Sequence, residues 1–215
     1  MNENKNLVLA AVAAALYVVL NLIPIGMFIG AGGIFIPLSI IFVPVMAWLL
    51  EPREALIASI IGGLGSLIFN PSGTGTMGVF AIMVPVMAIT VGSITLHMKS
   101  LKLAATGWII IEFVFYYAFY NGQATIFWGV HYAVASLCAI IGVIKRSNSP
   151  YYYVPSIAMA ENAALNVYSI LIAGLPAELW QFIIISSIYE RIIATVGAIL
   201  LIKGLKKAIP QWVPE

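Results

Sequence analysis

The chain has 215 residues, of which 62% are apolar and only 8% are charged. Soluble domains carry about a quarter charged residues, so a water-soluble fold of this size could not cover so much apolar surface. The net charge is only +2, without the clustered basic face that nucleic-acid binding needs. The composition therefore predicts an all-α membrane protein and excludes a nucleic-acid-binding protein.

Charged residues and stretches rich in Gly, Pro and Asn divide the chain into eight apolar segments. A helix needs about 20 apolar residues to cross the hydrocarbon core of a bilayer, with roughly 17 to 25 tolerated. In chain order the predicted spans cover residues 7–23, 34–50, 55–69, 79–96, 103–120, 125–144, 152–173 and 179–202. The second and third are short enough to be tilted or re-entrant. We expect a single domain over residues 1–215, a polytopic helical bundle of about eight spans with six as the lower bound.

Outside the segments, basic residues occur only in alternate connections. One set of connections contains Lys5, Arg53, Lys99, Lys102, Lys145, Arg146, Lys203, Lys206 and Lys207. No Lys or Arg occurs in the other set, at residues 24–33, 70–78, 121–124 and 174–178. Because positively charged loops stay inside, this alternation predicts a multi-pass protein of the cytoplasmic membrane with both termini in the cytoplasm.

Two of the uncharged connections have a composition of their own. Residues 26–33 contain four glycines, and residues 70–78 are rich in glycine and hydroxyl side chains. Such loops are either plain connectors or lids that close over a ligand entering from outside.

Four ionisable residues lie near the middle of predicted spans: Glu112 in the fifth, Glu161 in the seventh, and Glu190 with Arg191 in the eighth. Each costs at least about 2.5 to 3.5 kcal/mol to insert, so each is a functional candidate. Adjacent helical residues point about 100° apart, so we expect Arg191 to pair with Glu161 or Glu112 rather than with Glu190. The two remaining carboxylates would then be neutral or lie beside a bound cation. The alternative is a purely structural clasp between helices.

Other polar and aromatic residues occur on the same predicted helices. Asn162 and Asn166 are four residues apart on the seventh, Tyr116 is on the fifth and His131 is on the sixth. Aromatic walls with a few convergent polar groups hold small organic ligands, cations among them. The predicted ligand-binding residues are Glu112, Tyr116, His131, Glu161, Asn162, Asn166, Glu190 and Arg191. No metal site and no cofactor is predicted.

The first span contains small residues four apart, Ala10 with Ala14 and Ala11 with Ala15. This strip allows close approach of another helix, either within the chain or from a second protein. With Tyr17 and the Pro-rich spans, it resembles the substrate-binding (S) components of energy-coupling-factor (ECF) vitamin transporters. Further likeness lies in the turn 51–54, the Gly-rich stretch 55–65 and the last helix, residues 175–203.

The resemblance implies a ligand near the outside, beneath lid loops around Gly30 and Ser72. It also implies that Ala10, Ala11, Ala14 and Ala15 dock on a transmembrane coupling subunit, with ATPase subunits as further partners. That family usually has six spans, whereas eight are predicted here, and the excess is the hairpin 103–144.

Three classes of function remain open. The leading one is a subunit that binds a small, water-soluble, vitamin-like nutrient, a cationic or amine-bearing one included. It would be energised by partners, since the chain has no nucleotide-binding Gly-x-x-x-x-Gly-Lys-Ser/Thr loop. The second is an intramembrane enzyme: Phe127 and His131 match the Phe-x-x-x-His pattern of CAAX-type membrane proteases, and Glu161 could act as base, but no adjacent pair of glutamates is present. The third is a small carrier or a structural subunit of a larger membrane complex.

Overall fold

A computed structural model of the chain describes residues 3–27, 35–119, 125–168, 170–171, 174 and 177–212. These residues form eight α-helices and one short hairpin. The helices are α1 (Glu3–Asn21), α2 (Ser39–Leu49), α3 (Pro52–Phe69), α4 (Met83–His97), α5 (Ala104–Phe119), α6 (Thr125–Ile144), α7 (Val154–Tyr168) and α8 (Ala177–Ala208), and the strands are β1 (Pro24–Met27) and β2 (Phe35–Pro37). Short 3-10 helices cover Pro71–Ile82, Lys99–Leu101, Pro150–Tyr152 and Pro210–Trp212.

Each predicted span overlaps one of these α-helices, so the predicted all-α class is confirmed. Four helical stretches are long and apolar enough to cross a bilayer, namely Pro52–Phe69, Gly78–His97, Lys99–Phe119 and Ile183–Ala208. Their length and composition are those of a membrane protein. Helices α1, α2 and α6 are apolar over shorter lengths.

The second predicted span begins too early in the sequence-based assignment. Its first residues form strand β2, which pairs antiparallel with β1 and brings Pro24 opposite Pro37. The hairpin closes with a hydrogen bond from the Leu38 amide to the Ile23 carbonyl, 2.8 Å long. Helix α2 therefore has only 11 residues, a rise of about 16 Å, which is about half of the hydrocarbon thickness. Ten of its residues are buried, so α2 is enclosed by protein.

Helix α7 lies at the centre of the bundle. It contacts α2, α4, α5, α6 and α8, and each residue from 156 to 164 is buried. Its polar side chains therefore face other helices and not lipid. This enclosure explains how a helix with Glu161, Asn162 and Asn166 is tolerated in an apolar bundle.

Small residues allow the helices to approach one another closely. A Cβ added to Gly92 of α4 would lie 2.6 Å from Ile157 Cγ2 of α7 and 2.9 Å from Ala47 Cβ of α2. Between α3 and α1, a Cβ added to Gly62 would lie 3.1 Å from a ring carbon of Tyr17. Close helix packing through small side chains is the usual device inside membranes, where apolar side chains gain little from leaving lipid.

The alanine strip of α1 divides into two faces. Ala10 and Ala14 are buried within the chain, in one cluster with Ala55 of α3. The resemblance-based assignment of these two alanines to a partner surface is therefore corrected, since they already pack internally. Ala11 and Ala15 are exposed, because each lies about 100° around the helix from its buried neighbour.

Lysine side chains meet aromatic rings at the end of the bundle where the basic connections lie. Four ammonium groups lie 5.4 to 5.6 Å from ring centroids, in the pairs Lys102–Tyr153, Lys145–Tyr152, Lys203–Tyr151 and Lys206–Trp48. Aromatic and basic residues of this kind concentrate at the membrane–water interface. The connections that contain Lys102, Lys145, Lys203 and Lys206 thus share one end of the molecule.

Candidate functional site

A buried ion triad joins α7 and α8. The Nη1 atom of Arg191 lies 2.8 Å from Oε2 of Glu161, and its Nη2 atom donates to Oε1 of Glu190. Nη1 also donates to the Ala158 carbonyl at 2.6 Å. The three charged residues are 2% to 6% exposed. One guanidinium thus forms ion pairs with two carboxylates in the interior of the bundle.

The predicted partner Glu161 is confirmed, whereas the exclusion of Glu190 is wrong. Neighbouring helical residues do point apart at Cα, but Glu and Arg have long side chains that converge again in the crevice between α7 and α8. The flat guanidinium presents its two Nη groups in different directions, so one arginine can bind two carboxylates at once. Only Glu112 is therefore left without the arginine.

A hydrogen-bonded network of amide and hydroxyl groups lies beside the triad. Asn162 Nδ2 donates to Ser187 Oγ at 3.1 Å, and Asn166 Nδ2 donates to the Tyr132 hydroxyl at 2.9 Å. The Asn162 Oδ1 atom accepts from Asn166 at 3.4 Å and from Tyr132 at 3.5 Å. All of these groups are buried. This network links α6, α7 and α8 through neutral hydrogen-bond donors and acceptors.

Glu112 lies on the buried face of α5, with an exposed fraction of 0%. Neither carboxylate oxygen has a hydrogen-bond partner of good geometry among the described residues. The Tyr132 hydroxyl and the Asn166 amide are nevertheless close enough to interact with it. The network of amide and hydroxyl groups therefore extends to Glu112 and adds α5 to the same polar cluster.

The remaining predicted residues lie at the edge of this cluster. Tyr116 is 1% exposed and follows Glu112 by four residues, on the same face of α5. His131 is half-buried, and its ring centroid lies 5.6 Å from that of Tyr132. The Phe113 ring is also edge-on to Tyr132, with the ring centroids 6.1 Å apart. The structure thus gathers all eight predicted residues around α7, with His131 the most peripheral.

The hairpin covers the triad at the end of the bundle opposite the lysine–aromatic pairs. Ile36 of β2 is 1% exposed and clusters with Ala158 and Ala194 of α7 and α8. A Cβ added to Gly26 of β1 would lie 3.8 Å from the ring of Tyr189. The paired strands therefore lie one layer above Arg191 and Glu190.

The ends of α1, α2 and α3 meet beside this hairpin. The Ser39 hydroxyl donates to Asn21 Oδ1 at 3.0 Å, and Asn70 Nδ2 donates to the Asn21 carbonyl at 3.4 Å. Tyr17 interacts with Ser39 and lies close enough to Glu161 to be affected by its charge. Hydrogen bonds thus join the ends of α1, α2 and α3, and Tyr17 lies between this end of the bundle and Glu161.

Sequence reasoning missed Tyr132, Ser187 and Tyr17 as members of the site. Ser187 precedes Arg191 by four residues, so a shared helix face was a usable signal. Tyr132 has no such signal, because an aromatic residue within an apolar helix is ordinary packing in most cases. The proposed lid residue Gly30 lies outside the described residues, and nothing is described of the Ser72 side chain.

No known protein family, curated protein or solved structure matches the chain. The resemblance to substrate-binding components therefore stays a prediction.

Proposed function

We propose that the chain is a membrane-embedded, non-enzymatic binding subunit for uptake of a small water-soluble, vitamin-like nutrient, energised by partner subunits. The observation that supports this function best is the polar cluster in the bundle core, to which four helices contribute: α5, α6, α7 and α8. Buried polar groups in a membrane are costly and mark ligand or ion sites by default. Their convergence from four helices is how proteins build sites for small ligands.

If the cluster only held the helices together as a structural clasp, we would expect each of its polar atoms to have a hydrogen-bond partner within the cluster. In this cluster both oxygens of Glu112, Oε2 of Glu190 and Nε of Arg191 have no hydrogen-bond partner of good geometry among the described residues. Unpaired buried polar atoms cost about 1 to 3 kcal/mol each. A polar solute that hydrogen-bonds to them would recover that free energy, which favours a binding role over the clasp.

The orientation follows from the charge distribution. With the lysine–aromatic end in the cytoplasm, the protein is multi-pass in the cytoplasmic membrane, both termini are inside, and the hairpin faces outward. A solute from outside then meets the hairpin first and the triad beneath it. The absence of a nucleotide-binding loop from the sequence assigns ATP hydrolysis to separate ATPase subunits, and a transmembrane coupling subunit would connect them to this chain.

The test is equilibrium binding of a panel of radiolabelled vitamins to the purified chain in lipid nanodiscs. We expect one compound to bind with saturation, and Asn166→Leu to abolish that binding because it removes the amide at the centre of the cluster. Thr106→Val is the matched control: it also removes a buried polar group of the bundle, about 9 Å along α5 from Glu112. Equal loss of binding in both variants would count against the site.

The two other classes of function have less support. In an intramembrane enzyme, Glu161 would act as base, yet its carboxylate is buried and already paired with Arg191, away from the water that it would have to activate. A carrier would transport solute in liposomes without any partner or ATP. Transport by the purified chain alone would therefore replace the proposed subunit role with that of a carrier.

A further inference from the structure

The charges of the cluster do not balance. It contains three carboxylates, those of Glu112, Glu161 and Glu190, but one guanidinium, and Arg191 is already engaged by the latter two. Along the sequence, the lysine nearest to Glu112 is Lys102, which lies ten residues earlier and outside α5. Glu112 therefore has no fixed cation beside it among the described residues, although it is fully buried.

The neutral groups around Glu112 have already used most of their donors. The Nδ2 group of Asn166 donates to Tyr132 and Asn162, and the Tyr132 hydroxyl donates to Asn162 Oδ1 at 3.5 Å. A carboxylate offers about four acceptor positions. Glu112 thus presents more acceptor capacity than its surroundings supply, and an ammonium group with three N–H donors would match it.

Aromatic rings adjoin the same carboxylate. Tyr116 follows it by one turn on α5, and Tyr132 interacts with it across the helix interface, with Phe113 edge-on to the Tyr132 ring. Aromatic faces attract organic cations and also pack against the apolar body that carries the charge. A bare inorganic ion would use the carboxylate but gain little from these rings.

We infer that Glu112 is the anionic anchor for a protonated amino group of the transported solute, with Tyr116 and Tyr132 packed against the rest of that molecule. This inference rests on the proposed function and narrows its substrate class to amine-bearing organic cations. It also separates two roles within the cluster. The triad around Arg191 holds α7 and α8 together, whereas Glu112 contacts the solute.

The test uses three probes of similar shape and different charge on the purified chain in nanodiscs: benzylamine, benzyl alcohol and benzoate. Thermal unfolding is followed against probe concentration, because a ligand of the folded state raises the midpoint by mass action. We expect benzylamine to raise the midpoint and the other two probes to leave it unchanged. This charge selectivity is measured on the wild-type chain and does not depend on the folding of any variant.

Substitutions then test whether benzylamine binds at Glu112. Loss of one partner of a buried charge pair predicts at least about 30-fold weaker benzylamine binding in Glu112→Gln. Glu112→Asp keeps the negative charge on a shorter side chain, so we expect it to bind benzylamine with intermediate affinity. If Glu112→Gln does not fold, Glu112→Asp provides the test in its place. Thr106→Val should bind like the wild type.

Distinct outcomes would overturn the inference. If benzoate or benzyl alcohol stabilises the chain as well as benzylamine does, or if Glu112→Gln binds benzylamine normally, the amine anchor is wrong. Stabilisation by NaCl but not by KCl at equal ionic strength, lost in Glu112→Gln, would assign the site to an inorganic cation instead. A vitamin that binds the wild type and Glu112→Gln equally would refute the anchor and leave the proposed function standing. If no vitamin binds in the radioligand assay and no probe raises the unfolding midpoint, both the proposed function and the amine anchor are wrong.

Discussion

Arg191 Nη1 lies 2.8 Å from Glu161 Oε2, so a buried ion pair connects the central helix α7 to the long helix α8. The pair is enclosed by protein, and the same guanidinium also holds Glu190. A buried pair of this kind is not itself strong evidence for stability, but removal of one partner leaves an uncompensated charge. The effects of substitutions in the triad are therefore expected to be large and non-additive.

We expect Arg191→Gln to lower the free energy of unfolding by about 3 to 5 kcal/mol, because two buried carboxylates then lose their counter-ion. Replacement of all three residues by Gln should recover part of that loss, since no charge remains. The measurement is unfolding in mixed detergent micelles. If the triple variant is no more stable than Arg191→Gln, the charge balance does not account for the loss.

Gly92→Ala is expected to lower the free energy of unfolding by about 1 to 3 kcal/mol, through overpacking at the junction of α2, α4 and α7. The new methyl group would meet Ala47 Cβ at 2.9 Å, which cannot rotate away. Gly107→Ala is the matched control, since a Cβ there meets nothing within 4 Å. It should leave stability unchanged or raise it by up to about 1 kcal/mol. Similar losses in both variants would contradict the packing argument.

The bond from Asn162 to Ser187 is expected to appear as a coupling free energy. Asn162→Ala and Ser187→Ala should be non-additive by about 0.6 kcal/mol, with about 1.7 as the upper end for hydrogen bonds in membranes. The measurement is a double-mutant cycle on the free energy of unfolding. A second cycle of Ser187→Ala with Thr106→Val should be additive. If the second cycle gives a coupling free energy of the same size, the coupling in the first cycle is not specific to the bond from Asn162 to Ser187.

Labelling by a membrane-impermeant maleimide tests the orientation, in a Cys138→Ser background that removes the single cysteine. Glu178→Cys, at the exposed start of α8, should react in intact cells. Lys206→Cys, at the lysine–aromatic end, should react only after the membrane is permeabilised. The reverse pattern would invert the topology and place the hairpin in the cytoplasm.

The exposed half of the alanine strip tests the partner proposal. Ala11→Leu with Ala15→Leu should abolish co-purification with the coupling and ATPase subunits, because the larger side chains prevent close helix approach. Val134→Leu, on the exposed face of α6, is the control for an added methylene on the surface. Unchanged association of the double variant would exclude this face of α1 as the docking surface.

The positions of the helices could be predicted because charged and Gly-rich interruptions mark their ends in an apolar chain. The hairpin could not, since a short apolar run such as residues 34–38 is equally compatible with a strand and with the start of a helix. The cost of burying an unpaired arginine predicts that Arg191 pairs with a carboxylate of another helix, and the structure selects Glu161 over Glu112. The Glu190 contact depends on side-chain conformation in one crevice, which residue spacing does not specify.

The central position of α7 has a consequence for biogenesis. A segment with Glu161, Asn162 and Asn166 is a poor substrate for membrane insertion by itself, because each polar group would meet hydrocarbon. Arg191, which neutralises Glu161, is synthesised 30 residues later. We therefore expect α7 to remain at the translocon until α8 emerges, so that the two helices enter the bilayer as a hairpin.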